Sequence, residues 1–330
     1  MATHHLDDKK PHAFWDNSYL ARIRIRPGDT VVFETLEASA NQVTPQSPHE
    51  AVAKLDFSVI HPLTGPVYVE GAEPGDALEV EIVSIKNKGW GWNAVIPGFG
   101  LLADDFANPY LHHYKLSKTH CVFRDDILIP YEPFCGVMGV APKENERLNT
   151  IPPRFNAGNI DIRHLTPGAR ALFPVWVPCA LFSCCDCHSA QGYGEVNGTG
   201  IETPMTVTLR FQLKKGMNTP ELRFTTPPRK KLTVADEGGY FVATAHGTDL
   251  FKDAQQAIRY VIDYLSSEHN MTREQAYCLC GAAVDLKISE IVDAPNWIVS
   301  AYLPLSIFVK PKRAKKPVAR KAAPRKKARS

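Results

Sequence analysis

"IRPGDTVVFET", Ile25 to Thr35, decides how the rest of this 330-residue chain is read. Proline followed by glycine presets a tight turn, and the alternation of apolar and polar residues after it is the period-two pattern of a strand with one buried face. The phrase returns as "AEPGDALEVEIVSI" (Ala72 to Ile85) and, more loosely, as "LTPGARALFPVWV" (Leu165 to Val177). The copies are too irregularly spaced for a solenoid and read as reused turn-and-strand chemistry. Similar short runs occur at "PMTVTLRFQL" (Pro204 to Leu213) and "ISEIVDAPNWIVSAYLP" (Ile288 to Pro304). The 26 prolines are scattered between such runs, which suits turns and strand edges better than long helices. The prediction is a mainly β chain of the α+β class, with a sandwich-like core and a smaller α/β portion.

Helical signals come late. In "DLFKDAQQAIRYVIDYLSSEHN" the residues Phe251, Ala254, Ile258, Val261, Ile262 and Leu265 recur at three- and four-residue intervals, one stripe of a helix. Thr272 with Gln275 forms a capping box that opens a shorter helix through Cys280. The expected organisation is a body over 1–309, its α/β portion around 215–285, followed by a basic tail over 310–330.

Hydrophobic residues at 44% and charged residues at 22% are globular values, which set aside disordered and fibrous classes. The start lacks a signal-like apolar stretch and no run is long enough to span a membrane, so the expectation is a cytoplasmic protein with no membrane partner. In that reducing compartment the eight cysteines are thiols or ligands before they are disulfides. The net charge of +3 conceals an asymmetry: eleven of the 38 Lys and Arg residues lie in 310–330, leaving 27 against 35 acids elsewhere. The tail, without acids or aromatics, is expected to be a disordered appendage. Its composition also fits a nucleic-acid-binding arm, because phosphate neutralisation needs only mobile cations.

Reactive groups are densest in "CCDCHSAQGYGEVNGTG", Cys184 to Gly200. If 181–188 is a strand, Cys184, Asp186 and His188 share one face and Ser183, Cys185 and Cys187 the other. A carboxylate and an imidazole so placed suit a divalent cation, zinc included. The glycines that follow let the backbone turn tightly and carry Glu195 back toward the strand end, as a further ligand or as a general base. A CxCH zinc site competes with this reading, but the other close pair, Cys278 and Cys280, diverges by about 200° on a helix. The thiols of Cys184, Cys185 and Cys187 are read instead as small buried apolar groups. Upstream, Glu37 is a candidate ligand just beyond the first strand, and Asn159 and Asp161 form either a turn or the polar wall of a pocket.

Seven segments in order, among them "PGDTVVFETLEASANQ", "HPLTGPVYVEGAEPGDALEVEI", "PPRFNAGNIDIRHLTPGA" and "DCHSAQGYGEVNGTGIETP", resemble the acetamidase/formamidase family over about residues 12–305. The resemblance implies a β-rich, metal-dependent hydrolase of short aliphatic amides that forms homo-oligomers. It further implies a divalent metal, zinc first, held by Glu37, Asp186 and His188, with Glu195 and His188 catalytic and Asn159 or Gln191 binding the amide. The chain departs from the family pattern at Cys185, Ser189 and Tyr193, where glycine, alanine and aspartate are usual, and at Glu37, where aspartate is usual. Two other functions compete: a nucleic-acid-associated protein working through its tail, and a small-molecule binding module that has lost turnover.

Overall fold

The computed structural model describes residues 1–228, 238–291 and 294–309. The expected basic tail, 310–330, lies outside the described residues. All three proline-glycine turns feed strands of one six-stranded sheet, whose order is Thr3–Leu6, Thr30–Thr35, Met205–Lys214, Ala77–Asn87, Arg170–Pro174, Arg223–Thr225. The two PGD turns are built alike. Gly28 and Gly75 take positive φ (98° and 92°), and the aspartate that follows each accepts a backbone N–H three residues back: Asp29 from Arg26 at 3.0 Å and Asp76 from Glu73 at 2.9 Å. The looser third copy keeps the positive-φ glycine, Gly168 at 95°, but lacks the aspartate.

A ten-stranded sheet packs against the first, and the aromatic rings show where they meet. Phe182 of the second sheet lies edge-on to Phe33 (6.2 Å) and Phe211 (5.2 Å) of the first, within a fully buried apolar core. This is the sandwich expected from the sequence. Phe182–His188 is an interior strand of the ten-stranded sheet, paired with Phe134–Gly139, Thr64–Val69 and Glu202–Thr203.

The α/β portion comprises helices α1 (Leu250–His269) and α2 (Arg273–Ala283) and a three-stranded sheet of Tyr240–Gly247, Trp297–Pro304 and Asp285–Glu290. It begins later than the expected 215–285, because Arg223–Thr225 still belongs to the first sheet. Asp249 caps α1 by accepting from the N–H groups of Phe251 and Lys252, and Asn270 ends it in the left-handed region. Thr272 and Gln275 form the expected capping box at α2. The predicted stripe of α1 is buried from Ile258 to Leu265, but Phe251 is 61% exposed, so the stripe does not reach the first turn. A second core joins this portion to the outer strands of the ten-stranded sheet through Tyr114, Phe123 and Ile127. No described helix is long and apolar enough to cross a membrane.

Candidate active site

Every residue of the strand Phe182–His188 is buried, so each polar side chain on it needs a partner inside the protein. The strand does not alternate as a regular one would. Cys184 and Cys187 both enter the sandwich core, whereas Cys185 packs against Trp15, Leu63 and Val137. The break is at Asp186, whose φ of 51° is left-handed, a conformation aspartate tolerates better than most residues. Cys184 therefore does not share a face with Asp186 and His188, contrary to the period-two expectation, while the Asp–His pair itself is brought together. Gly136, on the neighbouring strand, leaves the space this needs: a Cβ there would clash with Asp161 Oδ1 and crowd the Asp186 carboxylate.

His188 is the centre of the cluster. Its Nε2 lies 3.3 Å from Asp186 Oδ1 and 3.1 Å from Glu202 Oε2, and its Nδ1 lies 2.6 Å from Gln191 Oε1. Gln191 Nε2 donates to the Asp161 carbonyl at 3.1 Å, which orients the amide so that its oxygen accepts from Nδ1; Nδ1 therefore carries a proton whether His188 is charged or neutral. Nε2 is then the nitrogen turned toward the carboxylates. One ligand atom each from Asp161, Asp186 and His188 lie within 4.8 Å of one another, and so do those from His188, Glu195 and Glu202. His61 joins from the side, its Nε2 3.7 Å from Asp186 Oδ2.

Glu195 reaches the cluster from a turn that the α/β portion holds in place. The turn is closed by Glu195 N–H to Gly192 and Gly198 N–H to Glu195. It is anchored by Gly192 N–H to the Gly281 carbonyl, Tyr193 N–H to Asp285, and Tyr277 Oη–H to the Val196 carbonyl.

Two sequence expectations change. Glu37 is buried, but its carboxylate accepts from Ser39 N (2.9 Å) and Oγ (2.7 Å), Asn41 N (2.5 Å) and Trp92 Nε1 (2.8 Å). It belongs to neither donor group; it closes the loop after the strand Thr30–Thr35, because a carboxylate with four donors already on it has little left for a ligand. Gln191, expected on the substrate, has both ends of its amide engaged by His188 and Asp161 and acts as a brace. Asn159 lines the cavity: Nδ2 donates to the Ile151 carbonyl, while the buried Oδ1 has no hydrogen-bond partner.

The electrostatics of the cluster are set by burial and crowding. Burial pulls the His188 imidazole down, but the Glu202 and Asp186 carboxylates outweigh it and hold its pKa well above the ordinary histidine value. Burial pushes Asp186 up, and the neighbouring imidazoles of His188 and His61 more than reverse this. Asp161 is pushed up to about 7 by burial, and Glu195 and Glu202 rise well above the usual carboxylate range for the same reason. The four carboxylates and His61, with His188 behind them, line a cavity of about 70 Å³, several times the space a water needs, together with apolar walls from Leu55, Phe57, Ile60, Ile96 and Phe99.

The model of the acetamidase/formamidase family matches residues 2–148 and 143–310. The chain belongs to this family. It is 27% identical to a formamidase from Methylophilus methylotrophus, over 91% of this chain and 92% of that one. It is 28% identical to an acetamidase from Mycolicibacterium smegmatis, over 82% and 85%. Among solved structures it is similar to a gamma lactamase from Delftia acidovorans, with a TM-score of 0.86, 25% identity and 93% of each chain covered. The acetamidase/formamidase membership makes the chain an amidase, and the cluster around His188 is its candidate centre.

Three residues of this candidate amidase centre were not singled out as functional from sequence. Glu202 pairs directly with His188 across two antiparallel strands, and His61 sits at a positive φ of 54° on the approach to Thr64–Val69. Asp161 was legible only as a turn or pocket wall. Glu202 and His61 both lie in segments that carry the family resemblance, yet nothing local to "GIETP" or "HPLTG" marks a ligand.

Proposed function

We propose that the protein hydrolyses the primary amides of short aliphatic acids, formamide and acetamide first, to the acid and ammonia, with a divalent cation bound among Asp161, Asp186 and His188. The observation that carries this reading is the convergence of four buried or half-buried carboxylates on one imidazole with no lysine or arginine lining the cavity. One of their oxygens, Asp161 Oδ1, is buried without a hydrogen bond, and Glu202 Oε2 has only the shared His188 Nε2 beside it. Such a set is costly unless neutralised, and imidazole nitrogen with carboxylate oxygen is a donor set that zinc accepts. When bound, the cation supplies Lewis acidity at the amide carbonyl and lowers the pKa of water beside it.

The protein's own groups supply the remaining chemistry. Glu195, on its anchored turn, takes a proton from the attacking water and returns it to the departing nitrogen, since ammonia leaves well only when that nitrogen is protonated. Asn159 Oδ1 accepts from the substrate's NH₂ group and orients it. Gln191 holds His188 in the tautomer that turns Nε2 toward the cavity, and Glu202 is fixed beside it by the N–H of Gly200 at 2.8 Å. The apolar wall excludes bulk water.

Ammonia release from a panel of short amides, measured beside elemental analysis of the purified protein, tests the reading. We expect turnover of the short amides, its loss on chelation with recovery on adding the cation, and about one bound metal per chain. Glu195→Gln should lower kcat by about 10²–10⁴-fold with the metal retained. Turnover that survives complete removal of metal would end the cation's part in it.

A further inference from the structure

The cavity has two unlike ends. Asp186 and Glu202, which line it, are at most 3% exposed, whereas the phenylalanines that line it, Phe57 and Phe99, are each 37% exposed and so stand at the mouth. Their rings meet edge to face across it, with centroids 6.3 Å apart and planes at 65°. The two come from separate loops, and each loop is built to present its ring.

Phe57 follows Asp56, whose Oδ1 accepts from Ser58 N (2.9 Å) and Oγ (2.6 Å) while its own N–H donates to Gln42 Oε1 (2.7 Å). The Asx-type turn fixes the backbone on both sides of the ring. Phe99 stands between Gly98 (φ 79°) and Gly100 (φ 94°), and its N–H bonds the Ile96 carbonyl at 3.0 Å. Beneath it Gly198 is also bare for a reason: a Cβ there would run into the Phe99 ring. The ring therefore rests directly on the segment that carries Glu195.

We propose that Phe57 and Phe99 set the length of acyl chain the site accepts, closing the cavity above a one- or two-carbon acyl group so that amides of longer unbranched acids fit poorly. The proposal rests on the amide-hydrolysis reading above and specifies its substrate class: primary amides whose apolar end stops below the aromatic pair. Each methylene that fails to fit an apolar pocket changes kcat/KM by about 10–200-fold, so two rings suffice to define a cut-off.

The full-length chain and its Phe57→Ala, Phe99→Ala, Phe99→Leu and doubly substituted alanine variants are compared on formamide, acetamide, propionamide and butyramide. Both kcat/KM for ammonia release and dissociation constants from ligand-observed NMR are recorded. The ratio of butyramide to formamide is the readout, because a general loss of stability or activity leaves a ratio untouched. It should rise at least about tenfold in each alanine variant, further in the double variant, and less in Phe99→Leu. A ratio unchanged in the double variant, or all four amides falling together, overturns the proposal. If no form of the protein releases ammonia from any amide, amide hydrolysis is what has failed; the ratio of dissociation constants, rising or flat, then decides the role of the two rings.

Discussion

At the scale of the residue, the site depends on close approaches that only bare backbone permits. Gly136 faces Asp161 and Asp186, and Gly200 lies so near the His188 ring that a Cβ would overlap Nδ1. We expect Gly136→Ala to lower kcat/KM by tenfold or more while the circular dichroism spectrum is unchanged, because the carboxylates must shift and the strands need not. Gln191→Leu removes both the bond to His188 Nδ1 and the bond to the Asp161 carbonyl, and a loss of about 10–100-fold in metal affinity or activity is the expected result. The segment from Asp186 to Glu195 was legible because it concentrates an imidazole, two carboxylates and glycines in a few positions. Glu37 misled for a converse reason: a long acidic side chain just beyond a strand looks like a ligand until its four donors are seen.

At the scale of the element, turn and cap chemistry was readable because it is local. The two PGD turns and the Thr272 box are each satisfied by atoms within a few residues. The strand Phe182–His188 was not, since the left-handed aspartate that resets its alternation is imposed by neighbours on both sides. One of its residues also ties down the N-terminal segment: His12 Nε2 lies 3.0 Å from Ser183 Oγ, and its Nδ1 bonds the Phe14 carbonyl at 2.8 Å. Burial pushes the His12 imidazole down from 6.5 to about 4, and does the same to His112. At neutral pH both are uncharged whether folded or not. As pH falls below 6.5 the unfolded chain takes up protons at these two rings that the folded one refuses until about 4, so their contribution to stability falls across that window. Because the raised carboxylates of the cluster act in the opposite sense over the same range, the difference is the readout: between pH 7 and pH 4.5 the denaturation midpoint of His12→Gln should rise relative to that of the parent protein.

At the scale of the whole molecule, the α/β portion braces the candidate site. Arg163, buried, bonds Asp285 Oδ1 at 2.5 Å and Glu132 Oε2 at 3.3 Å, joining the ten-stranded sheet's side of the protein to the strand Asp285–Glu290. The same Asp285 oxygen accepts the N–H of Tyr193, next to the turn that carries Glu195. Breaking a buried pair by removing one partner typically costs about 3–5 kcal/mol, because the other charge is left uncompensated. Arg163→Ala should therefore lower stability by about that much and reduce kcat more than it raises KM, as read from urea melts beside steady-state kinetics. Arg163→Lys should restore less than half of either, since an ammonium cannot reproduce the guanidinium fork.

The sequence by itself determined the β-rich class, the turns, both helices and the core of the candidate site, because those depend on residue order over short spans: a glycine after proline, an apolar residue every second or every third and fourth position. Only the tertiary structure decided that Glu202 stands opposite His188, that His61 and Asp161 close the cluster, that Glu37 does not, and that two phenylalanines from separate loops meet over it. Antiparallel pairing and loop closure bring together side chains far apart in the chain, and no periodicity within either segment encodes which partner it will meet.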